Sequence, residues 1–172
     1  MADALREVRR KQAGSLRATA LRLLARRDYP RAALEARLIA SGADRDEIAR
    51  VLDDLERRGY LSDARFAQML VAQKADRFGK RAIARALHAR RVDPNAAREA
   101  LAAVSADDEA ARAKAVWARR FGVKAADERE RARQIRFLLA RGYRLQVALA
   151  VVGRSHAAGA DDADPGSALD DV

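Results

Sequence analysis

With 172 residues, 35 Lys and Arg against 25 Asp and Glu, and a formal net charge of +10, the chain suits one domain or a short array of small units, and it favours anionic partners. It has no cysteine, which excludes disulfides, thiol catalysis and cysteine-based metal sites and suits a reducing compartment. Gly and Pro are scarce, Ala, Leu and Arg abundant and aromatics only 5%, so the composition points to an all-α fold whose small cores gain stability by stacking unit on unit.

Met1 to Gly14 carries Arg6, Arg9, Arg10 and Lys11 and reads as a basic N-terminal arm. It lacks the apolar core of a secretion signal, and no later run approaches the roughly 18 apolar residues of a membrane span, so a cytoplasmic chain without membrane contact is expected. Ser15 is placed to cap a first helix with Leu16, Ala20, Leu23 and Leu24. Pro30 suits the first turn of a second helix, which presents Leu34 and Leu38 on one face and ends at Gly42. Asp44 caps a third, Glu47 three residues on completes a capping box, and Ile48, Val51, Leu52 and Leu55 follow at the helical spacing of one apolar face. Gly59 can take the left-handed conformation that closes this helix, with Tyr60 and Leu61 giving the apolar contact of such a cap. Residues 15–61 thus form one three-helix unit.

Ser62 or Asp63 restarts the chain into a helix with Phe66 and Leu70. After Gly79 comes a helix with Ile83 and Leu87, then Asp93-Pro94 opening one whose inward residues are Ala97, Ala100, Leu101 and Val104. A shift of 49 lays Leu34 on Ile83, Leu38 on Leu87, Asp44 on Asp93, Ile48 on Ala97, Val51 on Ala100, Leu52 on Leu101 and Leu55 on Val104, so residues 62–104 repeat the first unit. A third unit, 105–152, begins with Ser105 capping a helix through Val116, Trp117 and Phe121 that Gly122 ends. Asp127 to Arg141 then carries Ile135, Leu138 and Leu139, and a short helix carries Val147 and Val151. A shift of 100 lays Leu38 on Leu138, Gly42 on Gly142 and Val51 on Val151, a looser match of the kind a terminal repeat shows. A period near 50 excludes tetratricopeptide and ankyrin repeats, which run at about 34 and 33 residues. Gly153 to Val172, with five Asp, reads as a disordered acidic tail; residues 1–152 alone carry 34 basic against 20 acidic side chains.

No catalytic constellation emerges. His88 and His156 are not at metal-ligand spacing, no glycine-rich phosphate loop exists, and Glu47, Asp53 and Asp54 are expected to pair with Arg50, Arg57 and Arg58 on their own helix. An enzyme, a cofactor and a metal are therefore not expected. Of the 35 basic residues 30 are Arg, which favours contacts to phosphate or carboxylate, although a GC-rich genome also raises Arg and Ala together. Position is the sharper signal. Arg77, Lys80, Arg81, Arg85, Arg90 and Arg91 occur without one acidic residue among them, with Arg81, Arg85 and His88 on a single helical stripe; Arg129, Arg133 and Arg136 form a second stripe, diluted by Asp127, Glu128 and Glu130. These nine residues are the candidate filament or nucleic-acid site. Trp117 and Phe121 are spaced as core residues and not as base-stacking platforms.

The run Ala25-Arg26-Arg27-Asp28-Tyr29-Pro30-Arg31, then Leu52-Asp53-Asp54-Leu55 and Gly59-Tyr60-Leu61-Ser62-Asp63-Ala64-Arg65-Phe66-Ala67, resembles the RecX family of bacterial regulatory proteins, and Arg141-Gly142-Tyr143 after Phe137-Leu138 resembles that family's third-unit motif. The resemblance implies an elongated, curved array of three tandem three-helix repeats. It implies binding to the RecA recombinase, chiefly its filament on single-stranded DNA, and suppression of ATP hydrolysis, strand exchange and repressor cleavage; a monomer that binds DNA weakly and without sequence preference is expected. Free-standing recognition of duplex DNA, with the Arg77 to Arg91 helix against the duplex, is the alternative, and a scaffold for unrelated proteins a third possibility.

Overall fold

The computed structural model describes residues 14–153. The basic arm up to residue 13 and the acidic tail from residue 154, with His156, lie outside the described residues. Helix α1 covers residues 14–24; α2 (Arg31–Ile39), α3 (Arg45–Arg57), α4 (Asp63–Ala75), α5 (Lys80–Ala89), α6 (Pro94–Ala102), α7 (Ala106–Arg120), α8 (Glu128–Ala140) and α9 (Leu145–Val152) follow, and the described residues contain no strand. The chain is all-α, built of tandem three-helix repeats.

The helices start where side chains can serve the free amides of a first turn. Asp44 accepts from the amides of Asp46 and Glu47, Asp93 from those of Asn95 and Ala96, Ser105 from that of Asp108, and Asp127 from that of Glu130. At the joint between the first two repeats Ser62 is the cap, its hydroxyl accepting from the amide of Arg65 at 3.2 Å. Asp63 is free for another task. Its two carboxylate oxygens accept from the amide of Arg31, at the start of α2, at 2.7 Å and from the amide of Asp93, before α6, at 2.6 Å. Arg65 seals the same joint, its guanidinium donating to the Asp28 carboxylate at 3.0 Å and to the carbonyls of Gly59 and Tyr60 at 3.1 and 3.0 Å.

Compactness is interleaved along the chain. Residues 14–74 with 83–104 form one compact unit, and residues 75–82 with 105–153 another. The first unit holds a core of Leu16, Ala20, Tyr29, Leu34, Leu38, Ile48, Val51, Leu52, Leu55 and Leu61, with α2 packed on α3. Each fully buried Leu or Ile here contributes about 1.5–3 kcal/mol, so truncating Leu52 to Ala costs about 2–5 kcal/mol. In the second unit α7, α8 and α9 pack on one another around Ala113, Val116, Ile135, Leu138, Tyr143, Ala148 and Val152. Gln134, fully buried among them, accepts from the Trp117 indole N–H at 2.8 Å and donates to the Val123 carbonyl at 3.3 Å.

The start of α5 is tied to this second unit by backbone. The Gly79 amide donates to the Arg141 carbonyl at 3.0 Å, the Arg81 amide to the Gly142 carbonyl at 3.2 Å, and the Lys80 amide to the carboxylate of Glu109, which is 2% exposed, at 2.8 Å. Lys80 and Arg31 are equivalent under the shift of 49, so both second helices have their first amide capped by an acid from the start of the next repeat. Helix α8 is served from within its own first turn, with Asp127 accepting from the Glu130 amide and the Glu130 carboxylate accepting from the amide of Ala126, just before the cap.

Several local expectations change. Pro30 is the N-cap position of α2, extended at φ −70° and ψ 151°, one residue before the first turn. Glu47 does not complete a capping box: it is buried, with Oε1 lacking a hydrogen-bond partner, and Arg50 turns to the Asp46 carbonyl. Asp53 pairs with Arg31 at 2.7 Å and not with Arg57, because α2 lies on α3 and brings a guanidinium closer than the next turn does; Asp54 does hold Arg58, and also Arg17 and Arg57. That cluster, led by the Arg58 hydrogen bond, lowers the Asp54 pKa. Tyr60 is 52% exposed, leaving Leu61 alone to close the Gly59 cap. On α6 it is Ala96, with Ala100, that is buried, as is Val104 just beyond the helix, while Ala97 and Leu101 are half-buried; on α9 Ala148 and Val152 are buried in place of Val147 and Val151.

The turn after the second helix recurs in all three repeats. Gly42 and Gly142 sit there at φ +80° and +84°, and the middle repeat has Arg91 at φ +53°. A non-glycine residue in the left-handed region costs about 1–2 kcal/mol. Arg91→Gly should therefore stabilise the protein by about 1 kcal/mol, raising Tm by about 2–4 °C in a thermal melt followed by circular dichroism.

Candidate nucleic-acid interface

Helix α5 keeps its positive charge uncompensated. It has no acidic residue in its first turn, Arg81 and Arg85 are exposed one turn apart with His88 beyond them, and among the described residues neither arginine makes an ion pair. Arg90, exposed, donates to the Ala86 carbonyl of its own helix at 3.0 Å, and Arg91 is exposed in the strained turn described above. Lys80 is half-buried and Arg77 exposed. The contrast with α3 is direct, since Asp53, Asp54 and Glu56 there each hold at least one arginine. Like charges one turn apart repel by a few tenths of a kcal/mol, and a polyanion relieves that repulsion.

On α8 Arg129, Arg133 and Arg136 are all exposed. Of their acidic neighbours, Asp127 and Glu130 accept from backbone amides at the start of α8 and Glu128 reaches Arg131. Arg133 faces the ring of Phe121 at 6.0 Å. Phe121 and Phe137 form an edge-to-face pair with centroids 5.1 Å apart, and the Arg141 guanidinium lies over Phe137 at 3.7 Å from its centroid. Both rings are half-buried.

Phe137 borders a cleft of about 540 Å³ in the second unit, walled by Arg77, Arg119, Arg120 and Arg141 around Phe78 and this ring. Arg119 is anchored by donating to the Asp76 carbonyl at 3.0 Å. Of the nine candidate residues only Arg77 belongs to it; Arg119, Arg120, Arg141 and Phe137 lie outside the two basic stripes. They come from separate stretches, and the one local signal was the Phe137-Leu138 and Arg141-Gly142-Tyr143 run. Among the described residues no group of three or more His, Cys, Asp and Glu is placed to hold a metal ion, and no helix is long and apolar enough to cross a membrane.

Tandem three-helix units presenting unpaired arginines define a helical-repeat protein with anion-seeking surfaces. Comparison with known proteins makes this specific. Models of the first, second and third three-helix domains of RecX match residues 17–55, 62–101 and 107–152. The chain is 44% identical over 129 residues to the regulatory protein RecX of Herminiimonas arsenicoxydans, covering 75% of this chain and 85% of that one. It is 40% identical over 148 residues to that of Chromobacterium violaceum, covering 86% and 93%. The crystal structure of RecX from Lactobacillus salivarius shares the fold at a TM-score of 0.75 and 18% identity, over 83% of this chain and 95% of that one. The chain belongs to the RecX family of regulatory proteins.

Proposed function

We propose that this protein is a negative regulator that binds the RecA recombinase filament on single-stranded DNA and suppresses its ATP hydrolysis, strand exchange and stimulation of repressor cleavage, in DNA repair and the SOS response. The observation that carries the reading, beside family membership, is the α5 stripe: Arg81 and Arg85 are exposed, unpaired and on a helix without one carboxylate. Such a stripe meets its electrostatic complement on a nucleoprotein filament, where phosphates are dense and regularly spaced. The mode of action is occupancy, in which binding energy holds the filament in a state that does not turn over and no bond is made or broken by this chain.

The test is ATP hydrolysis by the cognate recombinase on single-stranded DNA with the protein titrated in. Hydrolysis should fall as the protein is added. The double variant Arg81→Glu, Arg85→Glu should need about tenfold more protein for the same inhibition, with its helicity unchanged. Hydrolysis that continues unaffected by the unaltered protein would overturn the function; inhibition that survives the double variant would remove α5 from the site.

A further inference from the structure

The cleft of the second unit carries chemistry that the α5 stripe lacks. Four guanidiniums line it and no carboxylate does, so its occupant is anionic. Two of the four are positioned in advance: Arg119 by its bond to the Asp76 carbonyl and Arg141 by its stack on Phe137. Arg77 and Arg120 are exposed, and neither makes an ion pair among the described residues. A phosphate alone would need neither the phenylalanine rings nor a volume of about 540 Å³, which falls among small-ligand pockets of about 300–1,000 Å³. The lining asks for an anion and a planar ring in one ligand. A duplex shows its phosphates and keeps its bases stacked inside, whereas a single strand offers both at each nucleotide.

We propose that this cleft receives one nucleotide of single-stranded DNA, its phosphate held by Arg77 and Arg120 and its base laid on the Arg141 guanidinium that Phe137 supports. The assignment rests on the reading that the partner is a coated single strand, and it names a place on this chain where that strand is touched. Arg141 serves here as a flat surface as much as a charge, since a guanidinium backed by a ring stacks on any base and reads none.

The test uses the full 172-residue chain and a fluorescein-labelled oligothymidylate, followed by fluorescence anisotropy at low salt. Phe137→Leu removes the ring while keeping an apolar side chain, and affinity should fall about tenfold, the equivalent of about 1.4 kcal/mol. Arg141→Lys, which keeps the charge and loses the plane, should weaken binding about fivefold, within the stacking range of single-strand platforms. Arg120→Ala should lower the salt slope of log affinity by about 0.7, one phosphate contact on a single strand. Photocrosslinking of the unaltered protein to an oligonucleotide bearing 5-iodouracil gives a readout that needs no variant, with adducts expected at Phe78 or Phe137. Wild-type affinity in folded Phe137→Leu, adducts confined to α5 or to the Arg129, Arg133 and Arg136 stripe, or an oligo-aspartate peptide competing as well as oligothymidylate of equal charge would each overturn the proposal. The recombinase assay reads the other claim separately: failure of the unaltered protein to slow ATP hydrolysis removes the regulatory reading whatever this cleft binds.

Discussion

Gly142→Ala should be the most damaging single-methyl change in the protein, lowering stability by about 3 kcal/mol and Tm by about 10 °C. Two costs add at this position. The backbone stands at φ +84°, where an L side chain costs about 1–2 kcal/mol, and the added Cβ would be driven into the backbone and side chain of Ala82 at the start of α5. Neither can yield easily. Gly79 lies on the other side of the contact, where a Cβ of its own would meet the Gly142 carbonyl at 2.5 Å, and three backbone amides of this stretch are already bonded across it. Gly42→Ala is the internal control. It occupies the same place in the first repeat at φ +80° but has no atom within 4 Å of the added methyl, so only the conformational cost of about 1 kcal/mol applies. Urea denaturation of the two variants, followed by circular dichroism, separates the terms, and equal losses would contradict the close approach.

Asp63→Ala should cost about 2 kcal/mol, a large loss for one partly exposed carboxylate. It leaves the Arg31 amide, which is partly buried, without an acceptor, and leaves the Asp93 amide to water. The second loss is the smaller because water can reach that donor. Asp63→Asn sharpens the prediction. An amide has one acceptor oxygen where the carboxylate has two, so Asn can serve only one of the two donors and should fall between wild type and Ala in the same denaturation experiment. A harmless Asp63→Ala would show that α2 does not depend on a cap from the next repeat.

The helices were legible because their information is local. Leu34 and Leu38, then Ile48, Val51, Leu52 and Leu55, and Ile83 with Leu87 stand at helical spacing and are buried as that spacing requires; Asp44, Asp93, Ser105 and Asp127 cap as their types predict. What could not be read is long-range. Asp53 found Arg31, 22 residues away, instead of Arg57, and Asp63 looked like an alternative cap for α4 when it serves α2 and α6. Gly142 was readable as a helix terminator by analogy with Gly42, but its contact with Ala82 requires knowing that two stretches 60 residues apart meet. The two joints differ for a visible reason. Gly79 and Gly142 let backbones touch directly, whereas Pro30 and Arg91 occupy the equivalent places in the earlier joint, where the Asp63 carboxylate bridges two amides. The α5 stripe was legible because charge at helical spacing is local too; the cleft was not, because segments near residues 77, 120, 137 and 141 build it.

Affinity of the full chain for a labelled single strand, bare and coated with the cognate recombinase, tests the central claim most directly when the unaltered protein and the Arg81→Glu, Arg85→Glu variant are compared side by side. Tighter binding to the coated strand, and a loss of about tenfold in that binding for the variant, is the predicted result. Equal affinity for coated and bare strands, or tighter and sequence-selective binding to duplex DNA, would contradict it.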